Sequence, residues 1–458
     1  MVSGGVAAGH AATADAAAEI LAEGGSAADA AVAGCLASCV AETVMTGLLG
    51  GGHAIYLDAR DGSLRNLDCF AVVPTGGSGE LLRLEVPFGA ELVHYAVGPA
   101  SCAVPGVPAG LEALWRAAGR LPWTRLVEPA LRLARSGVVL GPAHAACLAM
   151  LEPVMTMNRG AALYAPGGTL LGTGDTLRQP GLVRALELVA EEGAASVYRG
   201  TIADALLAVD GVMVTRSDLK DYEARWSEPV DVAYLGLRVL TRGGLSRVPE
   251  TLSRLPRLRG LAPPERVATL VESLEPGGPD GHTTNLTVVD GDGSACVLTT
   301  SLGLGSGDFL PGLDLHLNSM IGEVDLVLEP LVPGVRMESM MAPTLALDRD
   351  GLILAAGSAG GTRLRTALVG VLAGILDEGL EAASAVERPR VHPTGSVANA
   401  EPGVDEGALE LLERRGWTVR RWDAPHHYFG GVSVVGRAGA AGDPRRDGAA
   451  RLLRPGAG

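Results

Sequence analysis

The chain has 458 residues, of which 47% are hydrophobic and 19% charged, with 64 Gly and 28 Pro. That apolar content offsets the conformational entropy of folding and excludes a disordered protein, and the length suits one large domain or two to three ordinary ones. A formal charge of −15, from 37 basic and 52 acidic residues, argues against nucleic-acid backbones and anionic membrane surfaces as partners. Charges or turns break every apolar stretch short of the roughly 18–20 residues that cross a bilayer.

In chain order, the N-terminus has no basic segment followed by an apolar core and cleavage site, so a cytoplasmic protein is expected. Residues 9–22 and 27–41 read as Ala-rich helices, the second opened by Ser26 as N-cap with Asp29 three residues on. Gly50-Gly51-Gly52 leads into a strand near 53–58, which Asp61-Gly62 turns back into another near 64–70. Residues 108–136 and 140–151 look helical, and Val212 to Glu223 carries a strand–turn–helix pattern. Ser246 to Pro264, rich in Arg and Pro, reads as a loop or degraded segment. Beyond Pro276, residues 283–290 and 294–301 form a hairpin through Asp290-Gly291-Asp292-Gly293, and residues 343–348 and 352–357 repeat the device through Asp348 to Gly351. Gly357-Ser358-Ala359-Gly360-Gly361 then opens an amphipathic helix to about Asp377. Strand pairs followed by helices suggest sheets covered by helices on their outer faces.

Six cysteines show no zinc-type spacing; Cys35 and Cys39, four apart on an apolar helix, read as buried free thiols. The nine histidines, His426-His427 included, show no ligand spacing and read as loop or surface residues. No metal or organic cofactor is expected.

Three segments carry candidate chemistry: Gly281-His282-Thr283-Thr284-Asn285, Leu317-Asn318-Ser319 through Glu323, and Ser339-Met340-Met341 followed at hairpin distance by Gly360-Gly361. Each alone has an ordinary explanation, since Thr favours strands and a Gly pair before a helix is commonly a tight turn. Together with Leu21 to Ala33, Gly50 to Leu57, Val104 to Gly110, Tyr198 to Ala203 and Asp443 to Gly448, they cover most of the chain in order. On these motifs the sequence resembles the γ-glutamyltranspeptidase family of N-terminal-nucleophile hydrolases.

The resemblance implies an α+β fold, a four-layer αββα sandwich. It also implies a precursor that cuts itself between His282 and Thr283 into a large chain of residues 1–282 and a small chain of 283–458. The threonine hydroxyl then serves as the catalytic nucleophile, and its freed α-amine, with an ordinary pKa near 8, takes the proton. Motif position makes Thr283 the nucleophile over Thr284, whose side chain falls on the opposite face of a strand. Ser301 stands where the family has a second Thr touching the nucleophile, and Gly360 and Gly361 supply N–H donors to an oxyanion hole. Asn318 and Glu323 lie in the stretch that lines the amino-acid end of the substrate pocket, Glu323 in place of an acid that holds a substrate ammonium.

The departures from the family bear on the substrate. Phe70 occupies the position of an Arg that grips the glutamyl α-carboxylate, and an apolar ring cannot make that bidentate contact. Ser339-Met340 keeps half of a Ser-Ser pair, Gly303 replaces an Asn, and Asn285 a frequent His. Arg65 lies nearby on another phase of its strand. The resemblance therefore points to a self-processing Thr hydrolase acting on a small non-standard substrate in specialised metabolism. The bond broken is an amide, as in related acylases, or a carbon–carbon bond, as in relatives near proline-derived antibiotics that remove an oxalyl-type group. The alternatives are a γ-glutamyl hydrolase or transferase whose clamp is rebuilt from Arg336 or Arg363, and a non-catalytic binding relative.

Overall fold

The computed structural model describes residues 4–88, 91–274, 283–323, 326–327 and 330–453. Its two main sheets use, in chain order, β1 (Gly5–Ala8), β2 (Gly51–Leu57), β3 (Leu64–Cys69), β4 (Arg225–Ser227), β5 (Val230–Tyr234), β6 (Leu237–Thr241), β7 (Thr284–Val289), β8 (Ala295–Ser301), β9 (Thr344–Asp348), β10 (Gly351–Ala359), β11 (Gly431–Gly436), β12 (Gly439–Gly442) and β13 (Ala449–Leu452). The helices that cover them include α1 (Ala11–Ala22), α2 (Ala27–Ala41), α3 (Val107–Ala118), α4 (Trp123–Ser136), α5 (Pro180–Glu192), α6 (Val248–Arg254), α7 (Arg363–Leu376) and α8 (Ala382–Glu387).

The seven-stranded sheet runs β13-β1-β7-β8-β2-β3-β4 and the six-stranded sheet β12-β11-β10-β9-β6-β5. Every pairing in both is antiparallel. Side-chain alternation along each strand sorts residues to opposite faces. Ala7, Ile55, Val289 and Val297 of one sheet meet Leu240, Leu345, Ala355 and Val435 of the other in the central layer. Their neighbours Val6, Tyr56, Val288 and Leu298 turn outward onto α1 to α5. Val239, Leu354 and Val434 turn outward onto α6, α7 and α8. The result is an αββα sandwich of the α+β class.

The helix α2 is buried along its whole length, and its start has the expected capping box: Asp29 N–H donates to Ser26 Oγ, and Ser26 N–H donates back to Asp29. All six cysteines are free and buried. No described helix is long and apolar enough to cross a membrane.

Several expectations need correction. The strand β1 precedes α1; its four small residues carry no readable pattern, and pairing on both sides with β7 and β13 makes it a strand. The single helix at 108–136 is two, divided where Gly119 ends α3 and Pro122 caps α4. Val212 to Thr215 forms no strand; Thr215 caps the short helix Arg216–Asp221. Within Ser246 to Pro264 the chain forms α6, because Val248 and Leu252, one turn apart, bury against the outer face of the six-stranded sheet. His53, His144, His316, His392 and His427 are buried, not superficial, each packed into strand, helix or ring contacts.

Candidate active site

Thr283 stands immediately before β7 and is buried. Thr284 pairs with Thr300, so the ladder continued by one residue sets Ser301, the last residue of β8, opposite Thr283. Both line one cleft of about 370 Å³, counted to its open mouth. From the other sheet β10 ends at Ala359, and Gly361, just before α7, lines the same cleft.

Gly360 and Gly361 have φ of +127° and +57°, conformations that L side chains rarely adopt. A Cβ on Gly360 would lie 2.9 Å from Gly430 Cα. Their carbonyls accept from Arg363 and Leu364 N–H at the start of α7, while among the described residues no carbonyl accepts from their own N–H groups. Ser301 Oγ accepts from Gly303 N–H at 2.9 Å. Thr284 points the other way: its hydroxyl donates to the Glu42 carboxylate, which also accepts from Thr13 at 2.6 Å in the helical layer. Adjacent threonines thus fall on opposite faces, as strand geometry requires. His282 lies outside the described residues.

Among the described residues the rest of the cleft is largely apolar, with Glu323 as its acid. Phe70, Met320, Met340, Met341, Leu326 and Leu364 line it together with Ser339, Gly303 and Glu323. Phe70 is almost fully buried, its ring stacked on His53 at 5.5 Å. Ser339 Oγ accepts from Met341 N–H at 3.2 Å. Glu323 Oε1 accepts from Ser319 Oγ and from Leu304 N–H, both at 3.0 Å. Burial nevertheless pushes its carboxyl up to about 7, against the lowering effect of those two donors. Gly303, at φ +68°, is forced by this acid: a Cβ there would lie 2.6 Å from Glu323 Oε1 and 2.5 Å from Ser319 Oγ.

Asn318 departs from expectation. Its amide is consumed by Leu49 O, Ala103 O, Ala103 N–H and Met320 N–H, so it braces the loop beneath the cleft instead of lining it. The arginines considered as a rebuilt clamp are also occupied. Arg336 donates to Phe70 O and Glu223 O, each at 2.5 Å, and stacks on Tyr222. Arg363 donates to Tyr428 O at 2.9 Å and lies over that ring. Arg65 stacks on Trp226. Beneath Phe70 burial, then Arg242 and Arg336, push His53 well below its ordinary range, so it is neutral.

Sequence reasoning missed the groups behind Thr283. A second cavity is lined by Thr283, Glu42, His144, Asp443 and Arg446. Arg446 is fully inside the protein, and its Nη1 donates to Thr283 O at 3.3 Å while Nη2 donates to His427 O at 3.2 Å. The signal was present in the Asp443 to Gly448 run and in the acid that follows α2, but nothing in one dimension ties either to Thr283. Among the described residues no group of three or more His, Cys, Asp or Glu is placed to hold a metal ion.

Residues 13–262 and 261–453 match the family described as Gamma-glutamyltranspeptidase. The chain belongs to that family. Relatives of this gamma-glutamyltranspeptidase family member include the Acylase ACY 1 proenzyme of a Pseudomonas species, 27% identical over 83% of this chain and 80% of that protein. The Glutathione hydrolase proenzyme of Escherichia coli is 26% identical over 81% of this chain and 78% of its own length. Among solved structures, cephalosporin acylase from Bacillus halodurans shares the fold, with a TM-score of 0.85 at 23% identity over 99% of this chain and 96% of that one. The family is one of N-terminal-nucleophile hydrolases, and of these relatives the Pseudomonas acylase and the Escherichia coli glutathione hydrolase are named as proenzymes.

Proposed function

We propose that this family member is a self-processing Thr hydrolase that works through an acyl-enzyme on Thr283 and accepts a small substrate lacking the glutamyl α-carboxylate. The observation that carries the reading is the convergence of Thr283, Ser301 and Gly361 on one cleft while Thr284 is turned away into the helical layer.

In the precursor the Thr283 hydroxyl attacks the carbonyl of residue 282, an N-to-O shift gives an ester, and water cuts it. Chains 1–282 and 283–458 remain associated through the two sheets, each built from strands of both. In turnover the freed α-amine takes the hydroxyl proton as Oγ1 bonds to the substrate carbonyl carbon, and the N–H groups of Gly360 and Gly361 receive the oxyanion. Ser301 orients the nucleophile. Collapse expels an amine, protonated by the α-ammonium, or a carbanion stabilised by a conjugated sink if an activated ketone is cleaved. Water then releases the acid. The substrate's acyl part rests on Phe70, Met320 and Met340, and Glu323 faces a cationic or hydrogen-bond-donating nitrogen.

The chemistry of the cleft supports this specificity: among the described residues its lining offers no cation, Arg336 donates to Phe70 O, and Arg363 Nε donates to Tyr428 O. The test is intact mass and N-terminal sequencing, followed by a panel of γ-glutamyl p-nitroanilide, apolar-acyl p-nitroanilides and an oxalyl ketone. A small chain beginning at Thr283, with turnover of an apolar-acyl amide or the ketone above the γ-glutamyl amide, is expected. A chain that stays whole, or one that prefers the γ-glutamyl amide, overturns it.

A further inference from the structure

Cutting the chain before Thr283 turns the nucleophile into a chain end. Chain ends fray unless something holds them, and Thr283 already lies one residue outside the β7 ladder. Something other than the sheet has to fix it, and something has to keep its amine unprotonated when it is needed as a base.

The groups that meet these needs line the second cavity, against Thr283 and beside the Gly360 turn. Arg446, in the turn after β12, reaches from the C-terminal end of the chain to the Thr283 carbonyl. It is anchored by its bonds to His427 O and to Met45 Sδ at 3.4 Å. Glu42, which follows α2, holds the hydroxyl of the next residue, Thr284. The remaining ionisable groups lining this cavity are His144, whose Nδ1 lies 3.0 Å from Asp447 Oδ2, and Asp443, which is paired with Arg390 at 2.5 Å. On the cleft side the facing acid is Glu323.

Resting on the proposed role of Thr283, we propose that Arg446 is a positioning residue for the nucleophile: it holds the Thr283 carbonyl and, opposed by Glu42, sets the protonation of the freed amine. The amine and the carbonyl belong to one residue, separated only by Cα and the carbonyl carbon. A buried guanidinium on that carbonyl therefore disfavours a second positive charge on the nitrogen. The burial of Arg446, which pulls its own pKa down, places this interaction where water screens it least. Glu42 acts with the opposite sign, so the two variants should move the amine in opposite directions whatever the other groups contribute.

The experiment uses the processed two-chain protein and the pH dependence of Thr283 acylation by p-nitrophenyl acetate, read as the p-nitrophenol burst. Arg446→Gln is expected to raise the acid limb by about one to two pH units and to slow acylation at pH 7 roughly tenfold or more. Arg446→Lys, which keeps the charge, should stay near the wild-type limb. Glu42→Gln, isosteric, with its one oxygen accepting from one threonine and its amide N–H donating to the other hydroxyl, should lower the limb. An Arg446→Gln limb equal to wild type, or an Arg446→Lys limb displaced as far as that of Arg446→Gln, overturns the proposal. If Arg446→Gln does not fold, the Glu42→Gln limb decides: a downward shift supports the proposal and an unchanged limb overturns it. Failure of wild-type protein to split or to give a burst would instead refute the role of Thr283 itself.

Discussion

At the reacting end of the cleft the parts are contributed by strand ends: Thr283 before β7, Ser301 closing β8, and the Gly360-Gly361 turn after β10. At the recognition end they come from loops: Phe70 after β3, Gly303, the segment reaching Glu323, and Ser339 to Met341. On the proposed reading the reacting end holds the nucleophile and the oxyanion donors, with Ser301 in place of a Thr, and the recognition end has exchanged more of its residues. Two hydrogen-bonded sheets fix relative positions tightly, so little can change there without losing the geometry. Loops tolerate replacement, provided each new side chain finds room. Gly303 is an instance: Glu323 fills the space that a larger residue at that position would need. If the proposed roles hold, bond cleavage and substrate choice are held by separate parts of this fold.

The sharpest way to break the comparison is at the nucleophile. Thr283→Ala should leave one chain of 46.7 kDa and reduce turnover by roughly 10⁴-fold or more. Thr284→Ala, which removes only the bond to Glu42, should still split, and intact mass distinguishes the two. Next is the glycine turn. Gly360→Ala brings a Cβ to 2.9 Å from Gly430 Cα and disfavours the φ of +127°, so the donors shift; kcat should fall about 10²-fold with KM changed far less.

Glu323 tests the recognition end through pH. Burial raises its folded-state pKa from 4.5 to about 7, so the folded protein binds the extra proton between those values. Stability is therefore fully present below about 4.5 and declines as pH rises to about 7, by about 3 kcal/mol. Urea unfolding should find Glu323→Gln more stable than wild type at pH 8 and equal to it at pH 4.5. The smallest effect is expected from Phe70→Arg. The new guanidinium would enter a buried site whose neighbour His53 already feels Arg242 and Arg336, and γ-glutamyl p-nitroanilide hydrolysis should rise less than tenfold. A larger gain would mean that one residue, not the whole floor, separates this cleft from a glutamyl site.

Local signals were legible where a few adjacent residues decide the outcome. Ser26 and Asp29 announced α2, Asp-Gly turns announced the hairpins, and alternation put Thr283 and Thr284 on opposite faces while motif position chose between them. Where partners are distant, the reading failed. Asn318 looked like a pocket residue, yet its amide is claimed by Leu49 and Ala103, more than two hundred positions away. The segment containing α6 looked degraded because charge and proline counts hide a short apolar face that only the six-stranded sheet makes useful. The histidines looked superficial because burial of an imidazole depends on what stacks against it, as Phe70 does on His53.

By itself the sequence determined the family and the alternating faces of the central strands; the resemblance, not periodicity, pointed to Thr283 and to Phe70 in the place of an Arg. Motif order and strand alternation are both written in adjacent residues, which is why they are legible without the fold. Only the tertiary structure decided that Arg336 and Arg363 are engaged away from the cleft, that Glu323 is buried deeply enough to hold its proton near neutrality, and that Arg446 reaches the Thr283 carbonyl. Each depends on which groups the packed sheets bring within a few ångströms, and on the water they exclude there.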